Sequence, residues 1–161
     1  VKSILDIPCG DFNWMKEVDF EEISYIGADI VQDLVQQNSD SFKRKNIQFL
    51  HLNIISDHLP NSDVIFCRDC LVHFSYADIY SDLNNIVESG SKYLLTTTFM
   101  EKKSNRDITT GQWRSLNLEL PPFNLPEAEL YILEGCTEAD GAFSDKALGL
   151  WRIDTLNRYL K

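Results

Sequence analysis

The stretch ILDIPCGDFNWM, residues 4 to 15, joins an apolar run to a turn that contains one glycine. The run from residue 3 to residue 8 is almost continuously apolar, which is typical of a strand covered on both faces of a sheet. It is interrupted by Asp6 and Pro8 and ends before Gly10, after which two aromatic residues follow. The pattern predicts a buried strand, a tight turn and a short helix over residues 12 to 18.

The same order of strand and helix continues as far as residue 99. Ser75, with Asp78 three residues later, is typical of a helix N-cap with an acid in the first turn. The predicted strands cover residues 3–8, 25–30, 47–54, 63–69 and 92–99, and the predicted helices cover 12–18, 32–44 and a segment after Ser75. Because strands alternate with helices, the sequence predicts an α/β fold in which helices cover both faces of a parallel sheet.

The last third of the chain breaks this alternation. Residues 100 to 127 contain three prolines and show no sustained hydrophobic period, so they predict a long loop rather than a helix. Residues 128 to 135 and 146 to 153 have the composition of strands, and a turn-rich segment joins them. We therefore expect a terminal hairpin that adds an antiparallel element to the sheet.

Length and charge limit the classes of function that the chain can have. Its 161 residues are enough for one domain, and no apolar run approaches the roughly 20 residues of a membrane span. The formal net charge of -10 disfavours nucleic acid as a partner. Because the chain begins at Val1, immediately before a strand, we expect a natural N-terminal segment to precede it.

The four cysteines do not have the spacing of a metal site. Cys67 and Cys70 form a CRDC sequence, but no second CxxC or histidine pair completes a zinc site around them. Cys9 and Cys136 stand alone. We therefore expect four reduced thiols, no metal and a cytoplasmic location.

The residues just after each strand are the candidates for ligand binding, because open α/β sheets bind ligands at the carboxyl ends of their strands. Gly10 would let the backbone approach a ligand without a Cβ atom between them. Asp29 ends the second strand, where an acid accepts hydrogen bonds from a ribose diol. Asn53 suits an adenine edge, since an amide both donates and accepts hydrogen bonds.

Taken in order, these segments resemble the class I S-adenosylmethionine-dependent methyltransferases. DIPCGD is similar to the family's first motif, although it has one glycine where the family usually has two or three. ADI is similar to the acidic end of the second strand, and NI and CRDCLVHF occupy the positions after strands three and four. The resemblance covers nearly the whole chain. It implies a Rossmann-like, doubly wound, mostly parallel sheet of seven strands with an antiparallel last strand.

The resemblance also implies S-adenosyl-L-methionine as the cofactor and assigns residues to it. Asp6 and Gly10 would flank the methionine moiety, Asp29 the ribose, and Asn53 with Ile54 the adenine. The full set of expected cofactor-binding residues is Asp6, Pro8, Cys9, Gly10, Asp11, Asp29, Ile30, Asn53, Ile54, Arg68 and Asp69. The CRDC sequence differs from the NPPY-type motif of the amino-methylating DNA enzymes, so methylation of an exocyclic base nitrogen is disfavoured.

The acceptor side is expected to involve His73 and the long loop. His73 follows the fourth strand, where a histidine would serve as general base, although a packing role is an equal alternative. Residues 100 to 127 would fold over the carboxyl ends of strands four and five and exclude water. The loop residues expected to face an acceptor are Arg106, Thr109, Trp113, Arg114 and Asn117. The expected acceptor is a small molecule such as a sugar or another metabolite, with a protein acceptor as the open alternative.

Other roles for the same residues stay open. Phe12 and Trp14 could line a pocket, although core packing is the favoured use, and His51 inside the third strand suits a structural role. A nucleotide-binding oxidoreductase would need a GxGxxG turn, which the sequence lacks. A catalytically silent Rossmann-like domain that binds a nucleotide or a protein partner is the main alternative to a methyltransferase.

Overall fold

The structure, a computed structural model that describes residues 1–160, is built on one seven-stranded sheet. Its strands are β1 (Ser3–Asp6), β2 (Ser24–Asp29), β3 (Ile47–His51), β4 (Val64–Cys67), β5 (Tyr93–Phe99), β6 (Leu130–Leu133) and β7 (Lys146–Arg152). They lie in the order β3-β2-β1-β4-β5-β7-β6. The first five strands pair in parallel, whereas β7 is antiparallel to both β5 and β6. The prediction of a mostly parallel seven-stranded sheet with an antiparallel last strand is confirmed.

Four α-helices accompany the sheet in residues 1–160. They are α1 (Gln32–Phe42), α2 (Tyr76–Glu88), α3 (Glu138–Gly141) and α4 (Ile153–Leu156). The predicted N-cap of α2 is confirmed, since the Ser75 hydroxyl accepts a hydrogen bond from the Asp78 backbone N–H at 3.2 Å. The helix predicted over residues 12 to 18 is wrong: only a 3₁₀ turn, Met15–Glu17, forms there. Phe12 has a φ of 58°, in the left-handed region, and cannot begin a right-handed helix.

The larger core lies between one face of the sheet and helices α2 and α4. Ile79, Leu83 and Ile86 on α2 are fully buried against the sheet. Gly149 in β7 leaves room for the buried Trp151 ring, since a Cβ atom at Gly149 would approach that ring to 2.4 Å. This close approach explains why the strand carries a glycine there.

One acidic residue interrupts the buried face of α2. Asp82 has no solvent exposure, and neither of its carboxyl oxygens has a hydrogen-bond partner among residues 1–160. Burial raises the pKa of Asp82 well above its usual range, so the side chain is neutral at physiological pH. The apolar periodicity of α2 did not predict that Asp82 is buried.

The other face of the sheet is covered over only part of its width. Over β1, β2 and β3 an aromatic cluster packs tightly, with the Phe12 ring 5.3 Å from Tyr25 and 5.2 Å from Phe49. Over β5, β7 and β6 no helix covers the corresponding side chains of residues 1–160. We call this region the open sheet face, and its residues are Leu95, Leu130, Ile132, Leu148 and Leu150.

Two aromatic predictions have opposite outcomes on this face. Phe12 is 1% exposed, which confirms its role in the core. Trp14 is 51% exposed and touches the edge of Phe66, with ring centroids 5.9 Å apart, so the expectation that it packs in the core is wrong. Trp14 lies where the covered and open parts of this face meet.

The long loop packs against the segment that follows β4. The backbone N–H groups of Gly111 and Arg114 donate to the carbonyls of His73 and Val72, at 2.8 and 3.1 Å. Further along, Phe123 packs against two tyrosines of α2. These contacts hold the loop beside the carboxyl end of β4.

All four cysteines are free, and three of them are buried.

Within residues 1–160, no helix has both the length and the apolar character needed to cross a membrane.

Candidate active site

The turn after β1 is held from three sides. Cys9 N–H donates to the carbonyl of Ala28 at 2.8 Å, and Gly10 N–H donates to Asp29 Oδ2 at 3.2 Å. The Asn38 amide donates to the carbonyl of Gly10 at 2.7 Å. Gly10 has a φ of 58°, and a Cβ atom there would have no neighbour within 4 Å. The glycine therefore serves the left-handed turn, and the space beside it is open.

Two buried carboxyl groups stand at the ends of β1 and β2. Asp29 is 6% exposed, and its second oxygen accepts a hydrogen bond from the Val31 backbone N–H at 3.0 Å. Asp6 is 3% exposed and accepts a hydrogen bond from the Tyr25 hydroxyl at 2.5 Å. Burial raises the pKa of Asp6 to about 7, and the tyrosine hydrogen bond only partly opposes this effect. Neither carboxyl forms an ion pair with a lysine or arginine of residues 1–160.

Three cavities open at the carboxyl edge of the sheet. The apolar cavity, of about 300 Å³, is lined by Ile7, Pro8, Ile30, Leu52, Asn53, Ile54, Ile55, Asp69, Cys70, His73, Phe74 and Thr110. The turn cavity, of about 160 Å³, is lined by Asp6, Pro8, Cys9, Gly10, Asp11, Trp14, Phe66 and Arg68. The charged cavity, of about 290 Å³, is lined by Arg68, Asp69, His73, Phe99, Trp113, Glu138, Phe143 and Lys146.

The three cavities share walls. Pro8 lines both the apolar cavity and the turn cavity. Asp69 and His73 separate the apolar cavity from the charged cavity, and Arg68 separates the turn cavity from the charged cavity. A ligand that occupied the apolar and turn cavities would therefore lie directly beside a second ligand in the charged cavity.

His73 is oriented by the long loop. Its Nδ1 lies 3.0 Å from the backbone carbonyl of Gln112. Because a carbonyl can only accept, Nδ1 carries the proton of this hydrogen bond, and Nε2 of the neutral ring has a free lone pair. The ring is half-buried at the wall between two cavities, so it can reach a ligand in either.

Four charged side chains form a closed set of ion pairs beside the charged cavity. Arg68 contacts Glu134 at 2.5 Å and Asp69 at 3.3 Å. Lys146 contacts the same two carboxylates, at 2.8 Å to Asp69 and 3.4 Å to Glu134. Burial lowers the pKa of Lys146, but the two carboxylates raise it by more than burial lowers it. The net shift is upward, so the ammonium group stays charged. Two cations and two anions leave the set without net charge.

Asp69 has an unusual backbone in this set. Its φ is 54°, and its backbone N–H donates to the Thr97 hydroxyl at 2.9 Å. Aspartate accepts the left-handed conformation more readily than most residues. The conformation turns the chain after β4 toward Lys146.

Most of the residues predicted to bind a cofactor lie at these cavities. Those at the apolar cavity are Pro8, Ile30, Asn53, Ile54 and Asp69, and those at the turn cavity are Asp6, Pro8, Cys9, Gly10, Asp11 and Arg68. Asp29 lines none of the three cavities and instead holds the Gly10 turn from behind. The Asn53 side-chain oxygen is already used by the Ile55 backbone N–H, at 3.0 Å.

The loop residues predicted to contact the acceptor have different positions in the structure. Trp113 lines the charged cavity. Arg114 is 1% exposed, and its guanidinium donates to the carbonyls of Leu71 and Phe74 at 2.8 Å each. The expectation that Arg114 faces the acceptor is therefore wrong, because these bonds turn its side chain into the protein. Arg106 is exposed and lines none of the three cavities, so the structure does not bring it to the site.

Sequence reasoning missed five residues near the charged cavity, namely Phe99, Glu134, Glu138, Phe143 and Lys146. One signal was available: a lysine opens an otherwise apolar strand at residue 146. Its register partner is Phe99, the last residue of β5. The antiparallel strand β7 therefore begins at the carboxyl edge of the parallel strands. An antiparallel neighbour was predicted, but not its register.

Solved structures with the same architecture were found at low sequence identity. Human N-acetylserotonin methyltransferase, in complex with S-adenosylmethionine, has a TM-score of 0.67 and 13% identity, over 93% of this chain and 47% of that one. N-methyltransferase NodS from Bradyrhizobium japonicum, in complex with S-adenosyl-L-homocysteine, has a TM-score of 0.64 and 16% identity, over 94% of this chain and 78% of that one.

The chain has the class I methyltransferase fold.

The methyltransferase fold places the carboxyl ends of β1, β2 and β4 around one opening, and the three cavities lie there. This chain spans about half the length of the human enzyme. No protein-family model and no curated protein matches the sequence. The fold also occurs in the [4+2]-cyclase SpnF, with a TM-score of 0.56 and 15% identity, over 73% of this chain and 47% of that one.

Proposed function

We propose that this protein binds S-adenosyl-L-methionine and transfers its methyl group to a small-molecule acceptor. Two proteins that share its fold were solved with S-adenosylmethionine or S-adenosyl-L-homocysteine bound. The observation that carries the proposal is the pair of buried acids at the ends of β1 and β2, which form no ion pair within residues 1–160. Asp6 lines the turn cavity, and Ile30, the residue after Asp29, lines the apolar cavity.

The chemistry of the lining residues fits this cofactor. S-adenosylmethionine combines a flat adenine, a ribose diol, and a methionine part with positive charge at sulfur and at the amino group. The isoleucines and leucine of the apolar cavity suit the adenine. Asp6 in the turn cavity suits the positive charge. The open space beside Gly10 lets a ligand approach the backbone, so a single glycine is sufficient here.

The proposed roles follow from these positions. Asp6, Pro8, Cys9, Gly10 and Asp11 would hold the methionine part in the turn cavity. Ile30, Asn53 and Ile54 would hold the adenine, the asparagine through its amide N–H₂ group, because its oxygen is already bonded.

Asp29 would hold the ribose as well as the turn. Its carboxylate accepts one hydrogen bond from the Gly10 backbone N–H and one from the Val31 backbone N–H. A carboxylate has about four acceptor positions, so it can accept further bonds. Arg68 and Asp69 would close the site from the side of β4.

His73 is the proposed general base. The bound cofactor would supply an electrophilic methyl group on a sulfonium centre. When the acceptor is a hydroxyl, its proton would pass to His73 Nε2 as the oxygen bonds to the methyl carbon and the carbon–sulfur bond breaks, which would leave a neutral thioether. The carbonyl of Gln112 would hold the Nδ1 proton and stabilise the cationic ring. The long loop keeps this histidine oriented and limits access of water.

Calorimetric titration with S-adenosyl-L-homocysteine tests the proposal, and NAD serves as the control ligand. We expect saturable binding of the sulfur nucleoside at a 1:1 ratio and no response to NAD. Binding of NAD alone would favour an oxidoreductase. No response to either ligand would favour a catalytically silent interaction domain.

We also propose a cytoplasmic setting. Cys67 and Cys70 are buried beside the site, and the hydrogen bond with Cys70, together with burial, raises the pKa of the Cys67 thiol well above its usual range. Such thiols react slowly and stay reduced in a reducing compartment. Titration of the unfolded protein is expected to give four free thiols, and a lower number would contradict this setting.

A further inference from the structure

An aromatic corner forms one wall of the charged cavity. Phe99, Trp113 and Phe143 contact one another in pairs, with ring centroids 5.0 to 6.2 Å apart and interplanar angles of 65° to 83°. Edge-to-face contacts of this kind fix the orientation of each ring. Trp113 is nevertheless 43% exposed, so much of its ring remains available to a ligand.

The opposite wall offers hydrogen bonds and carries one net negative charge, that of the exposed Glu138 carboxylate. Five of the eight side chains that line the cavity are ionisable. Arg68 and Lys146 are paired with Asp69 and Glu134 in the closed set of ion pairs, so their charges are already balanced. Each group still has unused capacity, because an ammonium has three donors, a guanidinium five, and a carboxylate about four acceptor positions.

This combination selects among acceptor classes. An anionic acceptor would have to displace a carboxylate from Lys146 or Arg68, which are both partly buried. A cationic acceptor would find Asp69 and Glu134 already paired, and the exposed Glu138 carboxylate would attract it only weakly. A flat apolar acceptor would use the aromatic corner but would leave the polar wall without partners. A ring with an apolar face and several hydroxyl groups satisfies both walls.

We propose that the charged cavity binds a neutral sugar ring as the methyl acceptor, with the apolar face of the ring on Trp113 and its hydroxyls on Asp69, Glu138 and Lys146. The volume of about 290 Å³ lies at the small end of ligand cavities, which suits a single ring. This inference rests on the proposed methyl transfer. A hydroxyl placed at the shared wall would lie beside His73, which also borders the apolar cavity.

Saturation-transfer NMR tests this inference without cofactor. The probes are the methyl glycosides of glucose, galactose and mannose, with glucuronate, glucosamine and phenol as charged and flat competitors. We expect at least one methyl glycoside to bind and the three competitors to bind more weakly. Trp113→Ala should reduce the affinity about tenfold or more, and Trp113→Phe should restore most of it. Tyr159→Ala, which removes another exposed aromatic ring, is the matched control and should have no effect.

The outcomes separate this inference from the proposed function. Calorimetry with S-adenosyl-L-homocysteine on Trp113→Ala shows whether the variant is folded and the cofactor site intact. Glu138→Gln, at an exposed position, gives a second test with little risk to folding, and it should weaken glycoside binding about threefold. Stronger binding of phenol, glucuronate or glucosamine than of every glycoside overturns the sugar assignment, even if the cofactor binds. Glycoside binding that neither Trp113→Ala nor Glu138→Gln alters overturns the location.

Discussion

Two neighbouring parts of the carboxyl edge hold their acids by different means. Above β1 and β2, Asp6 and Asp29 are bonded by a tyrosine hydroxyl and by backbone N–H groups. Above β4 and β7, Asp69 and Glu134 are bonded by an arginine and a lysine. The first part therefore holds its two acids without an ion pair, whereas the second pairs Asp69 and Glu134 with two cations.

The difference indicates what each part can bind. A buried acid without a cation is costly to ionise, and a cationic ligand removes that cost. A balanced set of ion pairs gains nothing from a charged ligand but still offers donors and acceptors at fixed positions. The two parts share a wall, and the proposed transfer from a sulfonium to a hydroxyl would use one part for each ligand. Four measurements test this contrast.

The largest effect is expected from the pH dependence of stability. Burial raises the pKa of Asp6 from 3.8 to about 7. Between these values the unfolded chain releases the Asp6 proton while the folded protein keeps it, so the free energy of unfolding falls as the pH rises. The fall attributable to Asp6 is up to about 4 kcal/mol and is complete above pH of about 7.

Urea unfolding of Asp6→Asn at pH 5 and at pH 8 measures this contribution. The variant should lose most of the difference between the two pH values. Asp11→Asn removes an exposed acid of the same turn and should keep the difference. An equal pH dependence in Asp6→Asn and the unaltered protein would mean that Asp6 has a cation partner after all.

A somewhat smaller effect is expected on cofactor affinity. Asp29→Ala removes the acceptor for Gly10 and the proposed ribose contact. A hydrogen bond to a charged group contributes about 1.5–3 kcal/mol, so the loss of the two proposed bonds to the ribose hydroxyls predicts at least about a hundredfold weaker binding of S-adenosyl-L-homocysteine by calorimetry. Asp19→Ala also removes a carboxylate that accepts a loop N–H, here that of Glu21, and serves as the control. An unchanged dissociation constant in folded Asp29→Ala would exclude Asp29 from the site.

A third effect concerns the part above β4 and β7. Glu134→Gln leaves Lys146 and Arg68 with one carboxylate between them. Because the Glu134 and Lys146 side chains are only 12% and 10% exposed, we expect a loss of about 2 kcal/mol in the free energy of unfolding. Glu129→Gln, at an exposed position near the same strand, should change stability little. Equal stability of the two variants would show that the ion pairs of Glu134 do not stabilise the fold.

The smallest effect is expected at Thr97. Thr97→Val removes the acceptor for the Asp69 backbone N–H, which should cost about 1 kcal/mol in urea unfolding. Thr97→Ser keeps the hydroxyl and should retain most of the stability. If the serine variant is the less stable of the two, packing of the threonine methyl outweighs the hydrogen bond.

The sequence predicted the succession of strands and helices up to residue 99 well, because that succession depends on local signals. Apolar runs that end in an acid, as at Asp6 and Asp29, mark strand ends at the carboxyl edge wherever the chain folds as an α/β sheet. The N-cap at Ser75 is equally local. The left-handed conformation of Phe12 has no such signal, and the first helix was therefore overpredicted.

The acceptor side was less predictable because its residues meet only through tertiary contacts. Arg114 was expected to face a ligand as a polar loop residue, yet its guanidinium donates to the carbonyls of Leu71 and Phe74, at the start of a short 3₁₀ turn and just after its end. Glu134 and Lys146 come together only through the register of β6 and β7. No periodicity in a single segment contains that information.

The open sheet face has a consequence for how the protein behaves in solution. Leu130 and Ile132 are 42% and 49% exposed, and an apolar patch of this kind attracts a like patch on another molecule. At neutral pH the formal charge of -10 opposes such encounters through mutual repulsion. That repulsion disappears near the isoelectric point of about 4.6, and 1 M salt screens it beyond about 3 Å. Colloidal stability is therefore greatest in dilute buffers above neutral pH, and acid or concentrated salt should precipitate the folded protein.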